Sequence, residues 1–302
     1  MTERNPVFDM MKGVAILLMV LGHCRISDSL HHAIYLFHIP MFFIVSGYFY
    51  KPKAFGALFK ADLKRLILPY LIFSAVVFLK FFVDAFRLQN FSTLPTFAVS
   101  VASGNFGVGP IWFLLALFWC RELFNAAGCS KWGIAGAVLV SVVVGAFGLN
   151  VEHSLGFFEG VSVVIFYALG FLWAKKKIVV HAWMALLGVA ISAVAFFGCG
   201  EMDVHMLLYP LYPLNVLGAL AVTFSLYWIL EWASRFSALR NSLSFLGRAS
   251  LLLLGVHYTE FMLFDWYAKI PDAVLVAVLR LMLDVLVTLG LSRVPIVKKV
   301  FF

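Results

Sequence analysis

Stretches of predominantly apolar residues recur along the chain, each near the twenty residues a helix needs to cross a bilayer, with short polar segments between them. They fall at roughly 10–27, 33–50, 66–86, 110–126, 132–149, 156–174, 179–198, 211–233, 249–268 and 273–292. This pattern predicts an all-α polytopic membrane protein, a bundle of about ten transmembrane helices.

The polar segments orient the bundle. With the N-terminus inside, seventeen Lys and Arg residues fall on one side, from Arg4 and the Lys51 to Arg65 group to Arg293, Lys298 and Lys299. Three, Arg25, Arg87 and Lys269, fall on the other. That bias follows the positive-inside rule and predicts both termini in the cytoplasm. Residues 1–27 have the short apolar run of a secretory signal but no small-x-small cleavage site, so the segment is expected to stay. No linker, repeat or low-complexity tract divides residues 1–302, which are read as a single integral-membrane domain. The longest loop, 87–109, is read as polar, Gly-rich and external.

Composition narrows the function classes. At 63% hydrophobic and 13% charged, with a mean hydropathy of +0.99, the chain is far from a soluble domain, whose apolar share is nearer ~45–50%. The net charge of +8 is spread among loops, so no nucleic-acid partner is expected. Cys24, Cys120, Cys129 and Cys199 show no paired spacing and are read as packing residues.

Against this apolar background the ionisable residues stand out, because each costs a few kcal/mol within a bilayer and is rarely idle there. Lys12 and His23 are eleven residues apart, so on a helix they lie within ~20° of one stripe and ~16 Å along the axis. The predicted topology puts Lys12 at the cytoplasmic boundary and His23 near the external one. The next span returns through His38 at similar depth. Histidine is the commonest general base, so either imidazole is a candidate to deprotonate an attacking hydroxyl. Plainer readings stand beside this one: a snorkelling Lys12, and histidines satisfied by backbone carbonyls. No third ligand accompanies the two imidazoles at useful spacing, and no metal is expected.

Further candidates follow from position. Lys60, Lys64 and Arg65 precede the third span, where they suit the phosphates of a cytoplasmic donor and equally satisfy the topology rule. Trp112 can donate to an oxyanion or simply pack. Glu260 is one helical turn from His257, placed to orient a histidine or contact an acceptor. Glu159, near the start of the sixth span, is read as lining an acceptor-facing vestibule. Asp9 is expected to hold the Lys12 ammonium, and the i,i+4 pairs Lys80–Asp84 and Arg280–Asp284 to neutralise each other. Ser46 and Gly47 are small enough for close helix packing, and Ser46 can alternatively offer a hydroxyl.

Two blocks, Phe8-Asp9-Met10-Met11-Lys12-Gly13 running to Gly22-His23, and Leu36-Phe37-His38-Ile39-Pro40-Met41-Phe42-Phe43 running to Ser46-Gly47-Tyr48, resemble the opening of the membrane-bound acyltransferase 3 family. The likeness continues through Arg65-Leu66-Ile67-Leu68-Pro69-Tyr70, Gly109-Pro110-Ile111-Trp112 and Phe245-Leu246-Gly247-Arg248. The family's Arg/Lys-x10-His motif falls on Lys12 and His23. The resemblance implies that His23 is the base and that Lys12 serves the acyl-donor path. It also implies a stand-alone O-acyltransferase of the bacterial cytoplasmic (inner) membrane, using acetyl-CoA on a hydroxyl of an envelope polysaccharide or lipid-linked sugar. Lys12 keeps the charge of the more usual arginine but lacks its bidentate fork. A pantetheine arm is of the order of the Lys12–His23 separation, so transfer across the membrane is geometrically reasonable. A transporter or flippase with a buried His/Arg site, or a transferase of succinyl or longer acyl groups, are the competing readings.

Overall fold

A computed structural model describes residues 5–104, 106–150 and 154–302; Arg4, among the cations counted above, lies outside them. The described residues form sixteen α-helices: α1 Pro6–Gly22, α2 Asp28–Tyr35, α3 His38–Tyr48, α4 Phe55–Asp62, α5 Leu68–Leu88, α6 Thr93–Ser103, α7 Trp112–Ala127, α8 Lys131–Ala146, α9 Phe157–Ser162, α10 Val164–Lys176, α11 Ala182–Gly198, α12 Tyr212–Ala233, α13 Ser237–Arg248, α14 Ser250–Leu263, α15 Ala273–Leu291 and α16 Pro295–Phe301. The only extended pairing among them is a bridge between Asp203 and Leu208.

Every apolar window of the sequence coincides with a helix, but length and apolarity qualify six helical stretches to cross a membrane, among them Asp28–Tyr48, Tyr212–Ala233 and Ala273–Leu291. Lys131–Ala146, Ala182–Gly198 and Ser250–Leu263 are apolar but shorter. Two segments taken as loops are helical: α6 occupies much of 87–109, and α13 occupies 237–248. A window of twenty residues passes over such short, partly polar helices.

Helix α1 is the centre of the bundle. Its N-terminus is capped by Asn5, whose side chain accepts from the Val7 N–H at 2.9 Å, with Pro6 in the first turn where no N–H is needed. Phe8, Met10, Met11, Ala15, Ile16 and Val20 are buried against its neighbours. In lipid, apolar burial gives helices little drive to associate, and close backbone approach takes its place. Gly247 of α13 lies against the Asp9 carbonyl and Gly13 against the Leu243 carbonyl, leaving no room for a Cβ at either. Gly47 of α3 and Gly170 of α10 meet in the same way, through the carbonyls of Tyr167 and Ile44, as the Ser46-Gly47 pair led us to expect.

The outer surfaces are apolar: Trp132 of α8, Leu186 and Phe197 of α11 and Val274 of α15 are exposed. Helix α15 is polar on its inner stripe instead, where Arg280, Asp284 and Thr288 are buried at i, i+4, i+8.

Candidate active site

Lys12, Ile16, Met19 and His23 project from one stripe of α1 into a single cavity of about 500 Å3. Facing them are His38, Phe42 and Ser46 of α3, and Trp112 at the start of α7. The ammonium and the imidazole expected to share a helix face therefore share a cavity, ~16 Å apart along the axis.

Both histidines sit where a helix is interrupted. The His23 N–H bends back to the Val20 carbonyl, so the Met19 carbonyl loses its usual intrahelical partner, and His23 Nδ1 takes it at 2.8 Å. Between α2 and α3 the backbone breaks at Phe37, and Pro40 has no N–H to give to residue 36. The Ile34 carbonyl is there taken by His38 Nδ1 at 2.8 Å. A carbonyl only accepts, so in each ring Nδ1 carries the hydrogen and Nε2 keeps its lone pair. A ring held by the backbone through Nδ1 keeps Nε2 available to accept a proton, so the two readings that compete in the sequence are compatible in one ring.

Lys12 is held by Asp9 at 2.8 Å, as expected, and Lys80 by Asp84 at 2.8 Å. Lys64 and Arg65 are exposed on the π-helical turn Leu63–Ile67, and the adjacent Leu66 reaches the cavity while they do not. Trp112 stacks on His205, ring centroids 4.6 Å apart and 13° from parallel. Glu159 is buried behind this stack with Oε1 3.4 Å from His205 Nδ1, so it backs the cavity wall and does not line it.

His257 and Glu260 also stand behind the wall. The His257 ring contacts that of His23 at 5.3 Å between centroids, and its Nδ1 donates to Asp284 at 2.8 Å. Arg280 donates from Nε and Nη2 to Glu260 at 3.0–3.1 Å, and from Nη1 to the His23 carbonyl at 2.9 Å. The expected Arg280–Asp284 pair is thus corrected. Both side chains point at α14, and each finds its partner there. His257, Glu260 and Asp284 bring ligand-type atoms within 4.8 Å of one another, a spacing that suits a cation. Glu260 is already committed to Arg280 and to Trp266 Nε1, which makes the group an ion-pair network.

A second cavity, about 350 Å3, is lined by His23 together with Lys80, Trp266, Tyr267 and Arg280. His23 and Phe261 belong to the walls of both cavities. Sequence reasoning missed this second space, along with Tyr35, Asp203 and His205 in the first. The cue for the last two was the alternation of Glu201, Asp203 and His205 with apolar residues between apolar helices. Asp203 accepts from the N–H groups of His205 and Met206 and so shapes the turn.

An apolar helical bundle that keeps an ammonium and two imidazoles in one cavity has the make-up of a membrane-embedded enzyme. The Acyltransferase domain of the acyltransferase 3 family matches residues 5–292, and the chain belongs to that family. Nodulation protein NolL of Sinorhizobium fredii is 29% identical over 199 residues, 57% of this chain and 50% of that protein. Nodulation protein NolL of Mesorhizobium japonicum is 25% identical over 226 residues, 66% of this chain and 57% of that protein. The chain thus spans about half the length of the curated relatives it matches. No solved structure matches it.

Proposed function

We propose that this acyltransferase is an integral-membrane O-acyltransferase that moves an acyl group, acetyl in the first instance, from cytoplasmic acyl-CoA to a hydroxyl of an envelope polysaccharide or lipid-linked sugar. The observation that carries the reading is the place of His23 in the wall common to two cavities. A base for acyl transfer must reach the attacking hydroxyl and the thioester together, and a shared wall allows a separate approach for each.

In this reading the donor enters beside Lys12, with Lys64 and Arg65 near its phosphates, and its thioester lies along the first cavity. The acceptor hydroxyl arrives from the second. His23 Nε2 takes the hydroxyl proton as the oxygen attacks the thioester carbon, the C–S bond breaks, and the imidazolium returns the proton to the leaving thiolate. The products are the O-acyl ester and free CoA. The chain crosses the bacterial inner membrane as ten spans with both termini cytoplasmic, which fits the charge bias of its loops.

Purified protein given labelled acetyl-CoA and envelope glycan should transfer label, and His23→Ala should not. Transfer at full rate by His23→Ala would overturn the base assignment. Failure of any acyl-CoA to shift the melting temperature would overturn the donor. Single cysteines at Lys177 and Lys269 should react with impermeant reagents from the cytoplasmic and external faces respectively; the reverse would overturn the orientation.

A further inference from the structure

The network behind His23 holds one carboxyl group, that of Asp284, with which no cation pairs. Arg280 and Glu260 pair with each other, Trp266 Nε1 also donates to the Glu260 carboxylate, and Glu260 Oε2 lies 3.4 Å from His257 Nδ1. Asp284 is fully buried and has Nδ1 of His257 as its partner, while its Oδ1 meets no hydrogen-bond donor. His257 gives its Nδ1 hydrogen to that carboxylate, and its Nε2 is likewise buried without a partner. With His257 neutral, ionised Asp284 adds one negative charge that the Arg280–Glu260 pair does not offset. Burial makes such a charge costly unless a positive group comes near.

Of the rings in contact with His257, those of His23 and Phe261, only that of His23 can take a proton. The other charged or titratable groups around it are committed elsewhere or further off. Arg280 is neutralised by Glu260, and Lys80 across the second cavity by Asp84. His31 of α2 bonds Glu201, and His38 of α3 is fixed by Ile34. Asp203 lies in the turn on the far wall of the first cavity.

We propose that Asp284, acting through His257, is the countercharge that stabilises the imidazolium formed on His23 when it takes the acceptor's proton. His257 and Asp284 line neither cavity, so they are positioning residues. They exchange no proton in the step: the hydroxyl proton goes to His23 Nε2 and from there to the thiolate. The inference rests on the reading of His23 as the base. A unit charge at this range in a buried site moves a partner's titration by on the order of one pH unit.

The test follows the His23 imidazole by NMR in the full chain, 15N-labelled at histidine and held in lipid nanodiscs, with His23→Gln assigning the signal. In Asp284→Asn the His23 titration should move to lower pH by about one unit, and Asp284→Glu should restore it. In a His257→Gln background, Asp284→Asn should add a smaller shift than it causes in the unaltered chain. The acid limb of the pH–rate profile should follow the same shift, with kcat about ten-fold lower and the donor KM unchanged. A His23 titration that is unmoved or raised in Asp284→Asn overturns the proposal. If that variant does not fold, the test passes to His257→Gln alone, which should lower the titration as well. A titration that moves as expected in a protein that transfers no acyl group would overturn the acyltransfer reading and leave the coupling intact.

Discussion

Arg280 reaches across from α15 to donate to the backbone carbonyl of His23 at 2.9 Å, so the residue that ends α1 is fixed by a helix more than 250 positions away in sequence. The guanidinium satisfies a carbonyl at the end of α1 and at the same time grips Glu260 with two nitrogens. This ties the position of the imidazole to the α14–α15 pair.

Removing that arginine leaves Glu260 charged, buried and unpaired. Arg280→Ala should therefore destabilise the fold by about 3–5 kcal/mol, the range for breaking a buried pair from one side. Arg280→Lys keeps the charge but loses the fork, and should recover only part of the loss. Thermal unfolding of the detergent-solubilised protein checks both. Equal melting temperatures for Arg280→Ala and the unaltered chain would contradict the network.

The two imidazoles should differ in weight. Each has a free Nε2 in the first cavity, but His23 alone of the two also reaches the second. His23→Ala should lower kcat by about 10²–10⁴, the usual contribution of a general base, and should retain donor binding in a thermal-shift assay. His38→Ala should cost less, because its ring meets only the donor-side space. A larger loss from His38→Ala would reverse the assignment.

How much of this was legible beforehand depends on range. The stripe from Lys12 to His23, the Asp9 and Lys80 ion pairs and the close approach at Gly47 follow from helical spacing alone, and the sequence carries them. Arg280 was misread because i,i+4 geometry allows two partners on one helix but cannot reveal a better one on another. The partition of two cavities by His23 and Phe261 lies beyond sequence for the same reason, since these residues come from α1 and α14. Helices α6 and α13 escaped because a search for spans of twenty residues ignores helices half that length.

Packing at α1 gives a paired prediction. Gly247→Ala would drive a Cβ into the Asp9 carbonyl and separate α13 from α1. A loss of about 1–3 kcal/mol, and a poorer fit of the Lys12 turn, are expected from such overpacking. Gly136→Ala in α8 meets nothing within 4 Å and should be neutral or gain up to about 1 kcal/mol from helix propensity. Melting temperatures measured side by side would test the contrast, and similar values for the two variants would contradict the packing.

Lys12 allows the donor path to be separated from mere placement at a membrane boundary. Its ammonium is shared with Asp9 at 2.8 Å, yet the side chain still faces the cavity that leads to His23. If it also meets a donor phosphate, Lys12→Met should raise the donor KM about ten-fold, equivalent to ~1.4 kcal/mol of charge-assisted hydrogen bonding. Lys12→Arg should keep the KM low, since the fork suits phosphate at least as well as the ammonium does. Added salt should weaken donor binding in the lysine and arginine forms more than in the methionine form, because screening acts on the charge. A Lys12→Met variant with unaltered KM and unaltered salt response would reduce Lys12 to a topological anchor and leave donor recognition to other residues.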